Sequence, residues 1–310
     1  MQLNPIVKKD VKVQARSMKI CWGVFAYELI LALVFFLAIL VIRQDSYYST
    51  DNIYSSMVWL YPVLAVTQFI ILGIVVPVRT AASISGERER QTFDIMMTTG
   101  MTPFSVVMGK VATAIIQSML FVVASMPVMA LPFIIGGMSW GYLFAFLGLA
   151  LLISLFSASI GILCSSLCRK SISAVIMSYG FYLIFFIGTF LPYFLYMIVD
   201  EYRYYNNAGY VQTYAEDNLL LFLLLNPVIY LLEFFSQVMT GDSFMGSIVH
   251  MTTGRMSGGP IQFVANKNVW MIVSTVLFVA VSFFFLWMAA KRIDPMRRHA
   301  KREKKAKSGK

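Results

Sequence analysis

One polar stretch of the sequence places charge and apolar surface side by side. Within the insert from Arg79 to Lys110, the residues Glu87 to Arg90 alternate in sign. Phe93, Met96 and Met97 follow at spacings of three and four residues, which put all three on one face of a helix. This pattern suits electrostatic pairing and apolar contact rather than covalent chemistry. We therefore expect a short amphipathic helix here; the alternative is a merely solvated loop.

The limits of that helix are also marked. Gly100 suits a helix stop, and Thr102 followed by Pro103 suits the N-cap and first turn of the next helix. Arg169 and Lys170 form a second short basic loop between apolar segments. The side chains available for contact along the longer insert are Glu87, Arg88, Glu89, Arg90, Thr92, Phe93, Asp94, Ile95, Met96 and Met97. These two polar segments are the candidate contact sites of the chain.

Residues able to catalyse a reaction are sparse and scattered. His250 and His299 lie far apart in the sequence, and neither is near Cys164 or Cys168. No apolar segment holds paired carboxylates, and no stretch has the spacing of metal ligands. The sequence also lacks a phosphate-binding loop of the form G-x-x-x-x-G-K-[ST]. We therefore expect no catalytic site, no bound metal or cofactor, and no ATP hydrolysis by this chain alone.

A few polar side chains fall within otherwise apolar segments. They are Glu28, Gln68, Gln117, Asn226 and Glu233. Burying an ionisable group in a membrane is costly unless the group is paired or hydrated, so these residues are functional candidates. The alternative for Glu28 is a structural role, because it lies near the end of its segment, within reach of interfacial water or a nearby cation. A proton relay would need more such groups than this sequence offers.

The composition excludes an ordinary soluble domain. Of the 310 residues, 59% are hydrophobic and 13% are charged, which is typical of an integral membrane protein. The net charge of +10 does not require a nucleic-acid partner, because ten of the 25 basic residues lie in the last twenty positions, beside an apolar segment. We expect this basic tail, residues 291–310, to lie at the cytoplasmic face of the membrane near anionic lipid.

Six apolar segments are long enough to cross about 30 Å of hydrocarbon as helices. They cover residues 24–42, 57–78, 111–135, 141–166, 174–198 and 269–290. With the N-terminus in the cytoplasm, 21 of the 25 basic residues fall on the cytoplasmic side, as the positive-inside rule favours. The sequence thus predicts one all-α domain over residues 1–310, a polytopic membrane protein with both termini in the cytoplasm and a cytoplasmic segment at 79–110.

Two further elements accompany these spans. Residues 1–22 carry basic and apolar side chains at helical spacing, which predicts an amphipathic helix in the membrane interface; a disordered basic leader is the alternative. Residues 218–239 are apolar enough to cross, but Asn226-Pro227 at their centre disfavours a continuous helix. We expect a re-entrant helical hairpin within an outer region, 199–268, because a full crossing would place the basic tail outside.

Small and aromatic side chains indicate further packing. The fourth span carries a stripe of small residues at helical spacing: Ser154, Ser157, Ala158, Gly161 and Ser165. Such a stripe lets helices approach closely, so we expect this face to pack on another helix of the same chain. Tyrosines crowd residues 202–214 after the fifth span, which suits the outer membrane interface; lining a substrate exit is the alternative.

The polar insert also resembles a known motif. ABC-exporter permeases of the second exporter class have a signature similar to the run Ile84-Ser85-Gly86-Glu87-Arg88-Glu89-Arg90-Gln91-Thr92-Phe93-Asp94-Ile95-Met96-Met97-Thr98-Thr99, ending in Gly109-Lys110. Gln91 stands where that family usually has glycine, and Gly100 stands where it usually has proline. The opening NPIVKKDVKVQARS resembles the family's elbow helix, and Asn226-Pro227 resembles a step in its outer helical pair.

The resemblance implies a function and partners. In that family the polar segment forms a coupling helix that docks on a separate ATPase subunit, so residues 87–97, with Arg169 and Lys170, would contact that subunit. It further implies an exporter in the cell membrane with two ATPase subunits, which bind ATP and Mg²⁺, and a second permease subunit, identical or related. Membrane lipids surround it, and no nucleic acid is involved. A peptide, lipid, drug or glycan substrate remains open.

Two other classes of protein remain as alternatives. A transporter or channel driven by an ion gradient would show inverted repeats and broken helices with charges near the membrane midplane, and the sequence shows no convincing repeat. A membrane scaffold or immunity protein would bind a toxin without moving a substrate.

Overall fold

The protein is built from helices alone in the part of the chain that the structure describes. A computed structural model describes residues 5–48, 57–93, 101–136, 139–206, 214–253, 263–266 and 268–293. In chain order the α-helices are α1 Pro5–Ala15, α2 Met18–Tyr48, α3 Leu60–Glu89, α4 Pro103–Ala124, α5 Met126–Gly136, α6 Trp140–Leu167, α7 Ser171–Leu183, α8 Leu191–Asn206, α9 Pro227–Met239, α10 Phe244–Thr253 and α11 Val269–Ile293. A π-helix, Ile184–Gly188, lies between α7 and α8, and a 3₁₀-helix, Tyr214–Leu225, precedes α9.

Six of these helical segments are long and apolar enough to cross a membrane. They are α2, α3, α4, α6, the segment from α7 through α8, and α11. The all-α polytopic membrane fold expected from the sequence is therefore confirmed. The 3₁₀-helix and α9 form a pair bent by 88° that would add a seventh crossing only if counted as one span.

The bundle has two distinguishable ends. We call the end where α1 meets the end of α3 and the start of α4 the elbow side, and the end that holds the bent pair the hairpin side. Trp270, at the start of α11, is fully buried among Leu223, Ile229 and Met245 on the hairpin side. The 25 residues of α11 extend about 37 Å, so the end of this helix lies on the elbow side.

Helix α6 lies at the centre of the bundle. In its apolar window 67% of the residues are buried, against 6% in the fifth span and 11% in α2. Phe156 of α6 makes edge-on contacts with Phe185 of the π-helix and Phe278 of α11, at centroid distances of 5.1 and 4.9 Å. Aromatic pairs of this geometry contribute about 0.5–1.5 kcal/mol each beyond their buried area. The fifth span and α2 therefore pack at the periphery of a core organised by α6.

The small-residue stripe packs on another helix of the chain, as expected. Gly161 lies against Thr80 of α3 so closely that an added Cβ would overlap the Thr80 side chain and lie 3.1 Å from the Ala81 nitrogen. One helical turn further along, Ser165 Oγ accepts hydrogen bonds from the backbone N–H groups of Ile84 and Ser85, at 2.9 and 2.8 Å. The contact between α3 and α6 is therefore both close and hydrogen-bonded.

Asn226 holds the bend of the hairpin in place. Its Oδ1 accepts from the N–H groups of Val228 and Ile229, at 2.8 and 3.2 Å, so it is the N-cap of α9. Its Nδ2 donates to the Phe186 carbonyl and to Thr189 Oγ1, at 3.0 and 2.7 Å. A π-helix changes the backbone hydrogen-bond pattern of the span that contains it. Asn226 supplies a donor for one carbonyl of this π-helix, that of Phe186. The Asn-Pro break is thus covered by protein, as a break at membrane depth requires.

Several boundaries differ from those expected. Helix α2 begins at Met18, so residues 18–22 belong to the first span rather than to the interfacial helix. Helix α3 continues to Glu89 instead of ending near residue 78. The third span, expected over 111–135, is divided at Ser125 into α4 and α5, because Pro127 has no N–H for the carbonyl of Val123.

We predict that Gly161→Ala destabilises the fold and that Gly148→Ala in the same helix does not. The new methyl group at 161 must displace Thr80, which is branched at Cβ and bonded to the Val76 carbonyl at 2.8 Å; such overpacking costs about 1–3 kcal/mol. No neighbouring atom lies within 4 Å of a Cβ at Gly148. Thermal unfolding of the detergent-solubilised variants measures both effects, and an equal midpoint for the two variants would contradict the close contact.

Candidate functional site

The alternating charges lie at the end of a span helix rather than in a separate helix. Glu87, Arg88 and Glu89 form the last turn of α3. The sequence prediction of a free-standing amphipathic helix beginning at this run is therefore wrong for these residues, because no breaker stops α3 before Arg90. Residues Asp94, Ile95, Met96 and Met97 lie outside the described residues, as does Gly100. The N-cap expected at Thr102 is confirmed, since its side chain accepts from the Ser105 N–H at 3.3 Å.

Helix α3 ends in a Schellman motif centred on Gln91. The Thr92 N–H bonds to the Glu87 carbonyl at 2.9 Å, and the Gln91 N–H bonds to the Arg88 carbonyl at 3.1 Å. This motif needs a left-handed residue after the helix, and Gln91 has a φ of 61°. Gln91, which stands where the family usually has glycine, thus has a left-handed backbone that glycine would adopt without strain.

Glu87 joins α3 to α4 and to the elbow helix through a shared lysine. Lys110 Nζ lies 2.6 Å from Glu87 Oε1 and 3.0 Å from Asp10 Oδ2. The Lys110 side chain is only 9% exposed, and the carboxylates are 25% and 22% exposed. One buried cation is therefore neutralised by carboxylates from two other helices, which gives the three helix ends a fixed relative position.

Arg88 connects α3 to the C-terminal end of α6. Its Nη1 donates to the carbonyls of Ser166 and Cys168, at 2.7 and 3.3 Å. These carbonyls belong to the last turn and the C-cap of α6, where helical partners are missing and a cation is favoured by the helix dipole. The Arg88 guanidinium also lies 5.0 Å from the centroid of the Phe93 ring. Arg88 thus stabilises the end of α6 and the chain that follows α3.

Glu89 supplies the cap that α7 lacks. The N-cap residue of α7 is Lys170, whose side chain has no acceptor and makes no capping bond. Glu89 Oε2 accepts instead from the Ser171 N–H at 3.2 Å and from the Ser171 hydroxyl at 2.8 Å. A carboxylate at a helix N-terminus is doubly favourable, because it satisfies a free N–H and interacts with the dipole.

Together these side chains connect the ends of several helices on the elbow side. We call the set the helix-end cluster: Asp10, Glu87, Arg88, Glu89 and Lys110. Three consecutive residues of α3 bond to α4, α6 and α7, and Lys110 of α4 extends the connection to α1. Any displacement of the end of α3 must therefore break these bonds or move the attached helix ends with it.

The comparisons with known proteins identify the family. A family model described as ABC-2 family transporter protein matches residues 40–291, which is most of the chain. The chain belongs to the ABC-2 transporter family. A comparison with curated proteins returns no match. ABC-2 membrane proteins are the permease component of a transporter and generally pair with an ABC ATPase, so this chain is a multi-pass permease of that kind.

Among the described residues expected to contact a partner, fewer are exposed in this ABC-2 permease than the sequence suggested. Phe93, expected to be an apolar docking contact, is 5% exposed and packs into the core. Arg90, Thr92, Arg169 and Lys170 are exposed. Phe93 turns inward because Arg88 covers its ring and the Schellman motif reverses the chain. The charges at 87, 88 and 89 are already used within the chain, which the sequence did not indicate.

A cavity of about 620 Å³ lies beside these exposed cations. Its wall includes Lys9 of the elbow helix, Gly86, Glu89 and Arg90 of the α3 end, and Ser171 of α7. The cavity therefore lies between helix ends that the helix-end cluster connects.

The polar residues within the spans have mainly structural partners. Glu233 is fully buried, and its two oxygens accept from the Met245 N–H at 3.0 Å and from Gln237 Nε2 at 2.9 Å. Gln68 accepts from Ser125 Oγ at 3.3 Å, and Gln117 accepts from Arg79 Nη1 at 3.2 Å. These residues do not lie in one site. Glu28 is only partly buried on α2.

Sequence reasoning missed two members of the helix-end cluster. Asp10 is the only carboxylate before Glu28 and stands among five basic residues, which is a signal for an internal salt bridge. Lys110 was recognised only as part of a motif, although a lysine within the first turns of an apolar helix requires a counter-charge.

We predict that Lys110→Met lowers the free energy of unfolding by about 3 kcal/mol, the low end of the range for a broken buried pair. The loss arises because Asp10 and Glu87 are left facing one another without a cation. Lys12→Met on the exposed face of α1 is the matched control and is expected to have no measurable effect. Denaturant unfolding of the solubilised permease measures the difference; equal midpoints would show that the buried lysine is dispensable.

We further predict that Gln91→Gly raises the free energy of unfolding by about 0.5–1 kcal/mol, because glycine relieves the left-handed backbone at this position. Arg90→Gly is the control: its φ of −85° needs no glycine, so the same substitution one residue earlier is expected to destabilise. The same unfolding assay compares the two. A loss of stability at both positions would refute the role assigned to the Schellman motif.

Proposed function

We propose that this chain is the membrane half of an ATP-driven exporter. Two permease subunits, identical or related, pair in the cell membrane, with the elbow side and both termini in the cytoplasm. Two ATPase subunits bind below them and hold ATP and Mg²⁺. The complex moves its substrate, of the peptide, lipid, drug or glycan class, outward. The observation that supports this proposal best is the helix-end cluster, which connects the end of α3 to four other helices at the side where an ATPase would dock.

The cluster gives a physical path for the movement. An ATPase that pushes on the chain between α3 and α4 displaces Glu87 and Lys110 together, because the two are joined at 2.6 Å. Asp10 carries the elbow helix with them, and Arg88 and Glu89 carry the turn between α6 and α7. The helix ends on the elbow side then move as one body, which is the form of motion that alternating access requires.

The exposed cations are the proposed docking contacts. Arg90 lines the 620 Å³ cavity, and Lys170, which is exposed, precedes Ser171 of the same lining. A partner with acidic side chains at the matching positions would be selected by charge, which mainly affects association rate and specificity. Ile95, Met96 and Met97 are proposed to add the apolar contact of the coupling segment, and Asp94 a further charge.

The peripheral spans are proposed to meet the second permease subunit and the lipid. Large apolar side chains are exposed along α7 and the π-helix, among them Ile172, Ile176, Leu183, Ile184 and Ile187. The exposed set on α2 includes Phe25, Leu29, Leu33, Phe36 and Leu40. Lipid can cover such faces, and a second subunit can replace lipid where the helices fit.

The hydrogen bonding of Glu233 favours the ATP-driven proposal over an ion-gradient mechanism. A carboxylate that binds and releases a coupling ion must exchange its partners, whereas both Glu233 oxygens are bonded within the hairpin, one of them to the first turn of α10. This arrangement is typical of a structural cap.

We predict that Arg90→Glu with Lys170→Glu weakens association with the ATPase at least tenfold, because each reversed charge repels the acidic partner surface. The tagged full-length chain is purified from membranes of its native host, and the co-purified ATPase is identified by its phosphate-binding loop. Arg43→Glu is the matched control, because it reverses an exposed charge near the C-terminal end of α2, away from the elbow side.

The outcomes are distinct. The proposal is supported if the double variant keeps its thermal midpoint and loses the ATPase together with ATP-stimulated transport, while Arg43→Glu retains both. It is overturned if no ATPase accompanies the wild-type chain, or if the double variant retains the ATPase in full.

A further inference from the structure

A second cavity lies on the elbow side, between the start of α2 and the facing surfaces of α3 and α4. Its volume is about 380 Å³, within the range of small-ligand sites. Lys19 stands at its α2 wall, Arg79 at its α3 wall and Lys110 at its α4 wall. Asp10 supplies the acidic group of the lining. The cavity is therefore basic, and it lies between the start of α2, the second half of α3 and the start of α4.

Two of its cations are not matched by carboxylates. Lys110 is neutralised by Asp10 and Glu87. Among the described side chains, none forms an ion pair with Arg79 or Lys19. The cavity thus keeps a positive charge after the internal pairs have formed, and this charge attracts an anion.

Arg79 is held in position by uncharged groups. Its Nη1 donates to Gln117 Oε1 at 3.2 Å, and its guanidinium carbon lies 5.3 Å from the centroid of the Phe121 ring. These contacts orient the guanidinium but leave its charge without a counter-ion. A partly buried charge within a span is costly unless an anion or water reaches it. The planar donor set of arginine fits a phosphate through two parallel hydrogen bonds.

The space beyond Arg79, between α3 and α4, is too small for a hydrocarbon chain. It shares Arg79 and Gln117 with the cavity, is otherwise walled by buried side chains such as Leu72, Val76 and Phe121, and has a volume of about 10 Å³, which holds about one water. The cavity therefore takes only the anionic group of a ligand. Because it lies at the ends of three span helices, that group can belong to a phospholipid whose acyl chains stay in the bilayer.

We infer that the cavity binds the phosphate of an anionic phospholipid, with Arg79 and Lys19 on the headgroup and the acyl chains outside the bundle in the bilayer. The bound lipid then bridges α2, α3 and α4 next to the helix-end cluster. Its phosphate supplies the counter-ion that the protein does not provide for Arg79. This site depends on neither an ATPase nor transport, so it stands apart from the proposed function.

Native mass spectrometry of the purified full-length chain tests the inference. Phosphatidylglycerol or phosphatidylcholine is added to the chain in detergent, and retained lipid is measured as its concentration is raised. Wild type is expected to retain phosphatidylglycerol in preference to phosphatidylcholine. Arg79→Gln is expected to weaken phosphatidylglycerol binding about tenfold or more, as the loss of a charge-assisted hydrogen bond implies. Lys19→Gln is expected to weaken it less, because Lys19 is exposed.

Matched variants and a competing anion separate the outcomes. Arg43→Gln removes the same charge outside the cavity and is expected to bind like wild type, and Arg79→Lys keeps the charge and is expected to recover part of the affinity. Equal binding by Arg79→Gln and Arg43→Gln would overturn the site. Displacement of the bound lipid by excess inorganic phosphate would support the site, because it places the lipid phosphate in the cavity; equal retention of phosphatidylglycerol and phosphatidylcholine by wild type would overturn the anionic lipid as its ligand.

Discussion

A single buried lysine sets the geometry of the elbow side. Lys110 lies in the first turns of a membrane helix, where its charge is tolerated only with counter-charges close by. Glu87 and Asp10 supply them at 2.6 and 3.0 Å, and this requirement fixes where the end of α3 and the elbow helix lie. Once α3 is held there, Arg88 and Glu89 face the C-terminal end of α6 and the first turn of α7. Backbone groups at the end of α6 and the start of α7 that have no partner within their own helix are thus hydrogen-bonded by one turn of α3.

The rest of the bundle is held by close packing rather than by charge. Lipid gives no hydrophobic drive for helices to associate, so small residues and internal hydrogen bonds are needed. Gly161 and Ser165 of α6 provide both against α3. The same contact holds α3 against α6 from Thr80 to Ser85. Packing and charge therefore act on one helix, from its middle to its end.

Local chemistry made much of the fold predictable. Long apolar runs identified the six spans, Thr102 identified an N-cap, Asn226-Pro227 identified a helix break, and the stripe in the fourth span identified a packing face. The ends of helices were predictable only where a proline or a cap marked them. Helix α3 was underestimated because the prediction ended it where its apolar side chains give way to polar ones, although polar residues continue a helix readily.

The site was harder to predict, because its bonds join residues far apart in sequence. Asp10 and Lys110 are separated by 100 positions, and Glu89 and Ser171 by 82. No local period reveals such pairs. The alternating charges were therefore interpreted as a surface for a partner, whereas three of them bind within the chain. Phe93 was likewise expected to face a partner but is buried. Helical spacing predicts which residues share a face of a helix, not whether that face points to solvent or to the core.

Hydrogen–deuterium exchange tests the central claim most directly, that one turn of α3 holds the other helix ends together. The full-length permease in lipid nanodiscs is compared with the variant Glu87→Gln, Arg88→Gln, Glu89→Gln, which removes the three charges and keeps the size of the two glutamate side chains. The account predicts faster amide exchange in α1 and at the junction of α6 with α7, and unchanged exchange in α9 on the hairpin side. Faster exchange confined to residues 84–93 would contradict it.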